Sequence, residues 1–524
     1  MQDDMDIRWL DLGSAAALVN LEGLAFREYQ FNIISEIFKG QNTLVVLPTG
    51  LGKTLISVFS IANQLSKGQR CIMLSPTKPL SEQHFSSMES LLKVDKEKLL
   101  LLTGALGTDK RKLAIANASL IVATPQTVAN EIKKGILDIS DFSMVVFDEC
   151  HRAVGKYAYT FVADAALNSG TRIVGLTASP GSNPARIKKI LNVLGIEQIQ
   201  ARSMTDPDVS RYVMPKSFHV QYVDKTPAIL QITTQMKPLI EGSMEKLRSM
   251  GLMFFKHFET MPKGRLIELG TSINKISSSS YRFGALFHYV RLLNFIHAYD
   301  LIEIEGLSPY VEFMESLANR EKKSKAVESI LNESVIKNSL SIAREAINNG
   351  SEHAKVNALV ELINRNKEKS TIVFAQYRST VKMLTRMLIA NGIDAMAFLG
   401  KKEGYSQETQ KQVISEFKEK GFKVLVSSSI GEEGLEIPSV DQVVFYESVP
   451  SEIRNIQRKG RTGRHYSGEV FVLVAKGTKD EIYLHVAANK EKKMMEQITK
   501  AAKDLQSKIG KKQHAPTASG QSKL

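Results

Sequence analysis

Thr43-Leu44-Val45-Val46-Leu47-Pro48-Thr49-Gly50-Leu51-Gly52-Lys53-Thr54, running on into Leu55-Ile56-Ser57-Val58-Phe59, decides the fold. The apolar run 43–47 reads as a buried strand, 48–53 as a glycine-bearing loop and 54–59 as the opening of a helix. Strand, glycine loop, helix is the context a phosphate loop requires. Glycines let backbone N–H groups approach phosphates, and the helix N-terminus adds its positive end. Pro48, Thr49, Gly50, Leu51, Gly52, Lys53 and Thr54 are therefore candidate nucleotide contacts. Lys53 would reach the β- and γ-phosphates, and the Thr54 hydroxyl would ligate Mg²⁺. The strict pattern has glycine at position 47, where this chain has leucine.

A second strand, Met144-Val145-Val146-Phe147, delivers Asp148-Glu149-Cys150-His151 to its C-terminal edge. Two adjacent acids there suit a metal ligand, Asp148, and a group that polarises the attacking water, Glu149. Far downstream stands Gln457-Arg458-Lys459-Gly460-Arg461-Thr462-Gly463-Arg464. An arginine fork binds phosphate with two prongs and stays charged. Arg464 reads as a finger on the γ-phosphate with Arg461 as its neighbour. Glycines 460 and 463 are poor helix formers, so their place between arginines favours close approach to a ligand. A nucleotide clamped between the first loop and this segment would lie in a cleft between two domains.

Short apolar runs alternate with helical stretches from about Phe26 to Met214, and again from Ser370 onward, which predicts parallel α/β sheets. Between 215 and 350 the pattern turns helical, as in Ala285-Leu286-Phe287-His288-Tyr289-Val290-Arg291-Leu292-Leu293. In that stretch Lys246, Arg248, Lys256, Lys263, Arg265, Lys275, Arg282 and Arg291 are interleaved with Phe254, Phe255 and Phe258, a mixture that suits backbone binding with some stacking. An ordinary amphipathic bundle accounts for any single one of them equally well. The net charge of +14 favours a polyanionic partner once such motifs accompany it. Two cysteines, Cys71 and Cys150, make no disulfide framework and fit a reducing compartment. No apolar run reaches the roughly 18 residues of a membrane span, and Met1-Gln2-Asp3-Asp4 does not open a signal peptide. The expected location is cytoplasmic, nucleoid-associated if the cell is archaeal.

The Asp-Glu-Cys-His box, with the other signatures in order, resembles superfamily 2 helicases of the DExH type. Phe26-Arg27-Glu28-Tyr29-Gln30 is similar to the adenine-reading Q motif, which brings Arg27 and Gln30 to the nucleotide. Ser75-Pro76-Thr77-Lys78, Thr103-Gly104 and Ala123-Thr124-Pro125-Gln126 resemble nucleic-acid loops, and the resemblance implies contacts from Thr77, Gly104 and Thr124. In the second α/β region it implies contacts from Gln376 and Ser428. Thr177-Ala178-Ser179-Pro180 resembles motif III, with His151 connecting the nucleotide site to Thr177 and Ser179. Gly431-Glu432-Glu433-Gly434-Leu435-Glu436 resembles motif V, which places Gly434 and Glu436 near the nucleotide. That segment, Phe445 through Ser451 and Gln457 through His465 look like the Hef/FANCM/Mph1 branch.

The implied architecture is α/β: two RecA-like parallel-sheet motor domains, 1–214 and 351–490, with a helical, thumb-like insertion at 215–350 and a partly disordered basic tail at 491–524. The implied activity is an ATP- and Mg²⁺-dependent helicase or translocase on branched DNA such as forks and Holliday junctions, in fork repair and recombination. Implied partners are forked DNA and a separate structure-specific nuclease, with the chain a monomer or weak oligomer. Hef proteins often continue into a nuclease domain. Its signature does not occur here, so no cleavage is expected. Two other readings stay open: a double-stranded-RNA-activated ATPase of the RIG-I/Dicer type, and a branched-DNA scaffold that recruits a nuclease.

Overall fold

The computed structural model describes residues 9–104, 107–155, 157–212, 216–400, 406–419, 423–428, 440–448 and 468–513. The first sheet is built from β1 (Thr43–Val46), β2 (Cys71–Leu74), β3 (Leu99–Leu102), β4 (Leu120–Ala123), β5 (Met144–Phe147), β6 (Arg172–Thr177) and β7 (Gln198–Ala201). Its strand order is β3-β4-β2-β5-β6-β1-β7, and each pairing is parallel. A parallel sheet is covered by helices on both faces, which is why its strands are continuous apolar runs. Alternate residues feed two cores. Leu44, Val46, Ile72 and Leu74 pack on one face, and Val45, Leu47, Cys71 and Met73 on the other.

The second sheet contains β8 (Lys216–Val223), β9 (Thr371–Phe374), β10 (Ala395–Phe398), β11 (Val424–Ser427), β12 (Gln442–Phe445) and β13 (Gly468–Ala475), in the order β10-β11-β9-β12-β13-β8. These pairings are also parallel. Membership of β8 corrects the expected boundary at 215. Residues 216–223 run parallel to β13 along their whole length, so the second domain begins before the helical insertion and is interrupted by it.

The insertion packs around helix Pro227–Ser249. Its Ile229, Ile232, Met236, Ile240, Met244 and Leu247 recur every three or four residues and are buried against Leu292, Phe295 and Ile296 of helix Ser279–Asp300. The basic and aromatic residues of this stretch divide by role. Phe258 is buried in the bundle core, whereas Phe254 is exposed. Arg291 bonds Ser329 and Glu333 and is a strut between helices, not a free cation for a ligand.

The bundle meets the second domain through a polar interior. Helix Ser279–Asp300 passes into a π-helical turn, Leu301–Glu305, which carries buried Glu303 and Glu305. Lys225 pairs with Glu303, and Tyr299 donates to it at 2.9 Å. Thr380 Oγ1 donates to Glu305 at 2.7 Å, and the Tyr446 hydroxyl to its carbonyl at 2.9 Å. Lys355 pairs with Asp480 and Lys479 with Asp300. Buried charges stay in a fold only when paired in this way.

The last described helix, Lys479–Gln513, corrects the expected tail. Its first turn belongs to the second domain, where Asp480 accepts hydrogen bonds from Ser448 N at 2.6 Å and Ala475 N at 3.1 Å. Further along, Met494 and Ile498 are buried in the core of the first domain, with Ala501, Ala502 and Leu505 packed against it. Those five positions form one helical stripe amid the lysines.

Candidate nucleotide-binding site and the adjoining sheet edge

The C-terminal edge of the first sheet has two halves. Strands β5, β6 and β1 are neighbours, and so are β3, β4 and β2. Ligands of open α/β sheets bind outside these carboxyl ends. The first half carries the phosphate loop, the acidic box and Thr177. The second carries Gly104, Thr124 and Thr77.

After β1 the chain turns sharply, with Gly50 at φ 90° and Gly52 at φ 79°. Both are left-handed conformations that a side chain resists. A Cβ at Gly52 would also press on the Gln30 side-chain amide and make it swing aside. The amide Nε2 donates to the Leu51 carbonyl at 3.0 Å, and the Tyr29 hydroxyl donates to the same oxygen at 2.9 Å. Arg27, at the start of the helix Glu28–Phe38, donates to the Tyr29 hydroxyl at 3.3 Å. Burial pushes the Tyr29 phenol above its ordinary value, which keeps it a donor. Gln30 is buried, and its Oε1 has no hydrogen-bond partner. An orphaned acceptor beside the loop fits recognition of an amino group on a base. Lys53 opens helix Lys53–Leu65 and donates to the Leu47 carbonyl at 3.0 Å, while half-buried Thr54 is the next residue of that first turn.

At the end of β5, Asp148 is pinned through its backbone. Its N–H donates to Leu74 O at 2.9 Å, and the Tyr159 hydroxyl donates to its carbonyl at 2.6 Å. Its side chain accepts from His84 Nε2 at 2.9 Å. Glu149 has φ 48° and is the non-glycine residue with positive φ among the described residues. Such strain costs on the order of 1–3 kcal/mol and collects at functional sites. Burial by itself raises the Glu149 carboxyl. The His151 hydrogen bond and charge, with Lys53 and Arg152, outweigh it and hold the group below its ordinary value.

His151 Nδ1 lies 3.2 Å from Glu149 Oε2 and 3.0 Å from Thr177 Oγ1. The hydrogen bond of Nδ1 is the one to Thr177, and its approach to Glu149 is that of an ion pair. Thr177 Oγ1 in turn accepts from Ser179 N at 3.1 Å, and Ser179 Oγ donates to Met494 Sδ at 2.8 Å. A polar chain thus runs from the acidic box through β6 to the long C-terminal helix. Cys150 faces away from it. Its thiol is buried, pushed well above its ordinary value by burial, and packs where Gly175 lacks a Cβ.

In the other half, Thr77 and Thr124 cap the N-termini of helices Lys78–Leu91 and Pro125–Lys133. Their hydroxyls accept from Leu80 N at 3.4 Å and Thr127 N at 3.3 Å. Exposed Gly104 follows β3, and its carbonyl accepts from Arg111 at 3.2 Å. Helix N-termini side by side present N–H groups suited to phosphates. In the second domain Gln376 is half-buried after β9, and Ser428 is buried at the end of β11. Gly434, Glu436, Gln457, Arg461 and Arg464 lie outside the described residues. Sequence reasoning missed His84, Tyr159 and Met494. Tyr29 alone had a signal, as the neighbour of Gln30.

Two family models match the chain: DEAD/DEAH box helicase over residues 27–187, and the helicase conserved C-terminal domain over 354–466. A Methanocaldococcus jannaschii protein, provisionally named an ATP-dependent RNA helicase, is 34% identical over 91% of this chain and 61% of its own length. The Neurospora crassa ATP-dependent DNA helicase mph1 is 30% identical over 87% of this chain and 41% of its own. The chain therefore spans about half the length of these curated relatives. The crystal structure of the Pyrococcus furiosus Hef helicase domain is 38% identical, with a TM-score of 0.69, covering 89% of this chain and 99% of that one. Two parallel sheets, a phosphate loop beside an acidic box and this near-complete match lead to one conclusion: the chain belongs to the DEAD/DEAH box helicases, in the family of the Hef helicase domain.

Proposed function

We propose that this chain is an ATP-dependent DNA helicase or translocase that acts on branched DNA, forks and Holliday junctions among them, in fork repair and recombination. The observation that carries the reading is the continuous sheet edge. Lys53, Glu149, His151 and Thr177 lie along one half, and the capped helix ends at Thr77 and Thr124 along the other. The relatives named as DNA helicases support DNA as the substrate.

The oxygen donors Asp148 and Thr54 suit Mg²⁺, which takes oxygen ligands. When bound, the ion supplies charge neutralisation on the β- and γ-phosphates. Lys53 adds a positive charge there. Glu149, ionised and held by His151, orients water for attack and receives its proton. Gln30 reads the base through Oε1. By the resemblance of their segments to helicase motifs, Gln457, Arg461 and Arg464 are assigned to the γ-phosphate, and Gly434 and Glu436 to the nucleotide. Phosphate contacts from Thr77, Gly104, Thr124, Gln376 and Ser428 make nucleic-acid binding sequence-independent and salt-sensitive. A separate nuclease acts on the branch, and the chain works as a monomer or weak oligomer in the cytoplasm.

A second reading, with RNA as substrate, is favoured by the name of the Methanocaldococcus relative. Mg²⁺-ATPase rates at fixed salt with no nucleic acid, forked DNA, linear duplex DNA and duplex RNA separate the two. Strongest stimulation by forked DNA supports the proposal. Strongest stimulation by duplex RNA replaces the substrate and keeps the catalytic residues.

A further inference from the structure

We propose that His84 is a positioning residue that holds the Asp148 carboxylate in its metal-binding orientation and ties it to the nucleic-acid half of the sheet edge. The proposal rests on the reading of Asp148 as a metal ligand given above.

His84 lies inside helix Lys78–Leu91, whose N-terminus is capped by Thr77. Asp148 follows β5, and β5 pairs with β2, the strand leading into that helix. The His84–Asp148 bond therefore spans the border between the two halves. Both side chains are more than nine-tenths buried, and Nε2 stands 2.9 Å from Oδ2. A carboxylate only accepts, so Nε2 donates. This fixes which oxygen is engaged and leaves Oδ1 as the oxygen for a cation. Backbone bonds already hold the Asp148 main chain, so the histidine supplies what they do not, the rotation of the carboxyl plane.

The other ring nitrogen decides between a packing role and a positioning one. His84 Nδ1 is buried with no hydrogen-bond partner. A histidine kept only to fill the core is disfavoured with an unsatisfied nitrogen, since an apolar residue of similar volume carries no such penalty. Among the described residues the ring's hydrogen-bond partner is Asp148. Carboxylates that ligate metals are themselves hydrogen-bonded, and removing that outer partner typically costs 10–100-fold in metal affinity or activity. Thr77 caps the helix roughly two turns before His84.

Three variants test this: His84→Ala, His84→Phe, which keeps a ring without a donor, and His84→Gln, which keeps a donor without the ring. Asp148→Asn serves as the reference for the metal. The readouts are the Mg²⁺ concentration for half-maximal binding of a fluorescent ATP analogue, kcat and KM at saturating Mg²⁺, and metal-free thermal melting. Ala and Phe are expected to raise the Mg²⁺ requirement and lower kcat by about 10–100-fold, with KM little changed and metal-free nucleotide binding intact. Gln restores most of both. A Phe variant with the wild-type Mg²⁺ requirement and kcat overturns the proposal, even if the Ala variant fails to fold. A higher Mg²⁺ requirement in Asp148→Asn beside an unaltered Phe variant rejects His84 alone. An unaltered requirement in Asp148→Asn rejects the metal assignment of Asp148 instead.

Discussion

On the proposed function, Lys53 decides turnover and leaves binding to nucleic acid to the other half of the edge. It sits at the start of its helix on the nucleotide half of the edge, with Thr77 and Thr124 on the other half. Lys53→Ala should abolish ATP turnover and leave DNA binding largely intact, checked by ATPase rate and fluorescence anisotropy. Gly52 makes a different case. Alanine there meets the left-handed φ and displaces the Gln30 amide from its bond to the Leu51 carbonyl. Gly52→Ala should weaken nucleotide binding and destabilise the first domain by about 1–3 kcal/mol, read by nucleotide titration and thermal melting. The phosphate loop and acidic box were legible from sequence because short apolar strands deliver them directly to one edge. His84 was not. It sits 64 residues from Asp148 in a helix whose sequence carries no metal-ligand spacing, and only the pairing of β2 with β5 brings the two together.

Elements were legible in proportion to how fully they are buried. Strands β1, β2, β4 and β5 are buried throughout and read as apolar runs. Strand β8 did not, because it is an edge strand: Lys216-Ser217-Phe218-His219-Val220-Gln221-Tyr222-Val223 alternates, and Phe218 and Tyr222 stay largely exposed. The π-helical turn was equally hidden, since its meaning lies in partners from four other segments, around Lys225, His353, Thr380 and Tyr446. His353 gives that junction a pH dependence. It is buried, its Nε2 donates to Glu303 O at 2.9 Å, and burial with the Lys355 charge lowers its pKa from 6.5 to about 3. The folded state therefore binds fewer protons than the unfolded one between these values, so stability falls as pH drops below 6.5. At pH 5 the loss from this group is about 2 kcal/mol. Melting curves from pH 7.5 to 5 should show it, and His353→Gln, which keeps a donor to Glu303 O, should flatten the slope.

At the scale of the whole molecule, composition misled. Eight lysines between 490 and 512 read as a tail, yet Met494, Ile498, Ala501, Ala502 and Leu505 lay down an apolar stripe among them. Ile498→Asp would place a charge in the core of the first domain, where the native side chain is 1% exposed. We expect it to free the distal half of helix Lys479–Gln513 for proteolysis, at a cost of several kcal/mol. Protease cutting after residue 490 in the variant and not in wild type would be the check.

That helix has 35 residues and so measures about 50 Å from end to end. One end is fastened in the second domain by Asp480 and the other rests on the first. It is a rod of fixed length joining the two halves of a hinge. Like a door stay, it sets how far the cleft can swing before the rod must lift from its seat. Any wider opening of the two domains has to unseat Met494 and Ile498 from the core of the first.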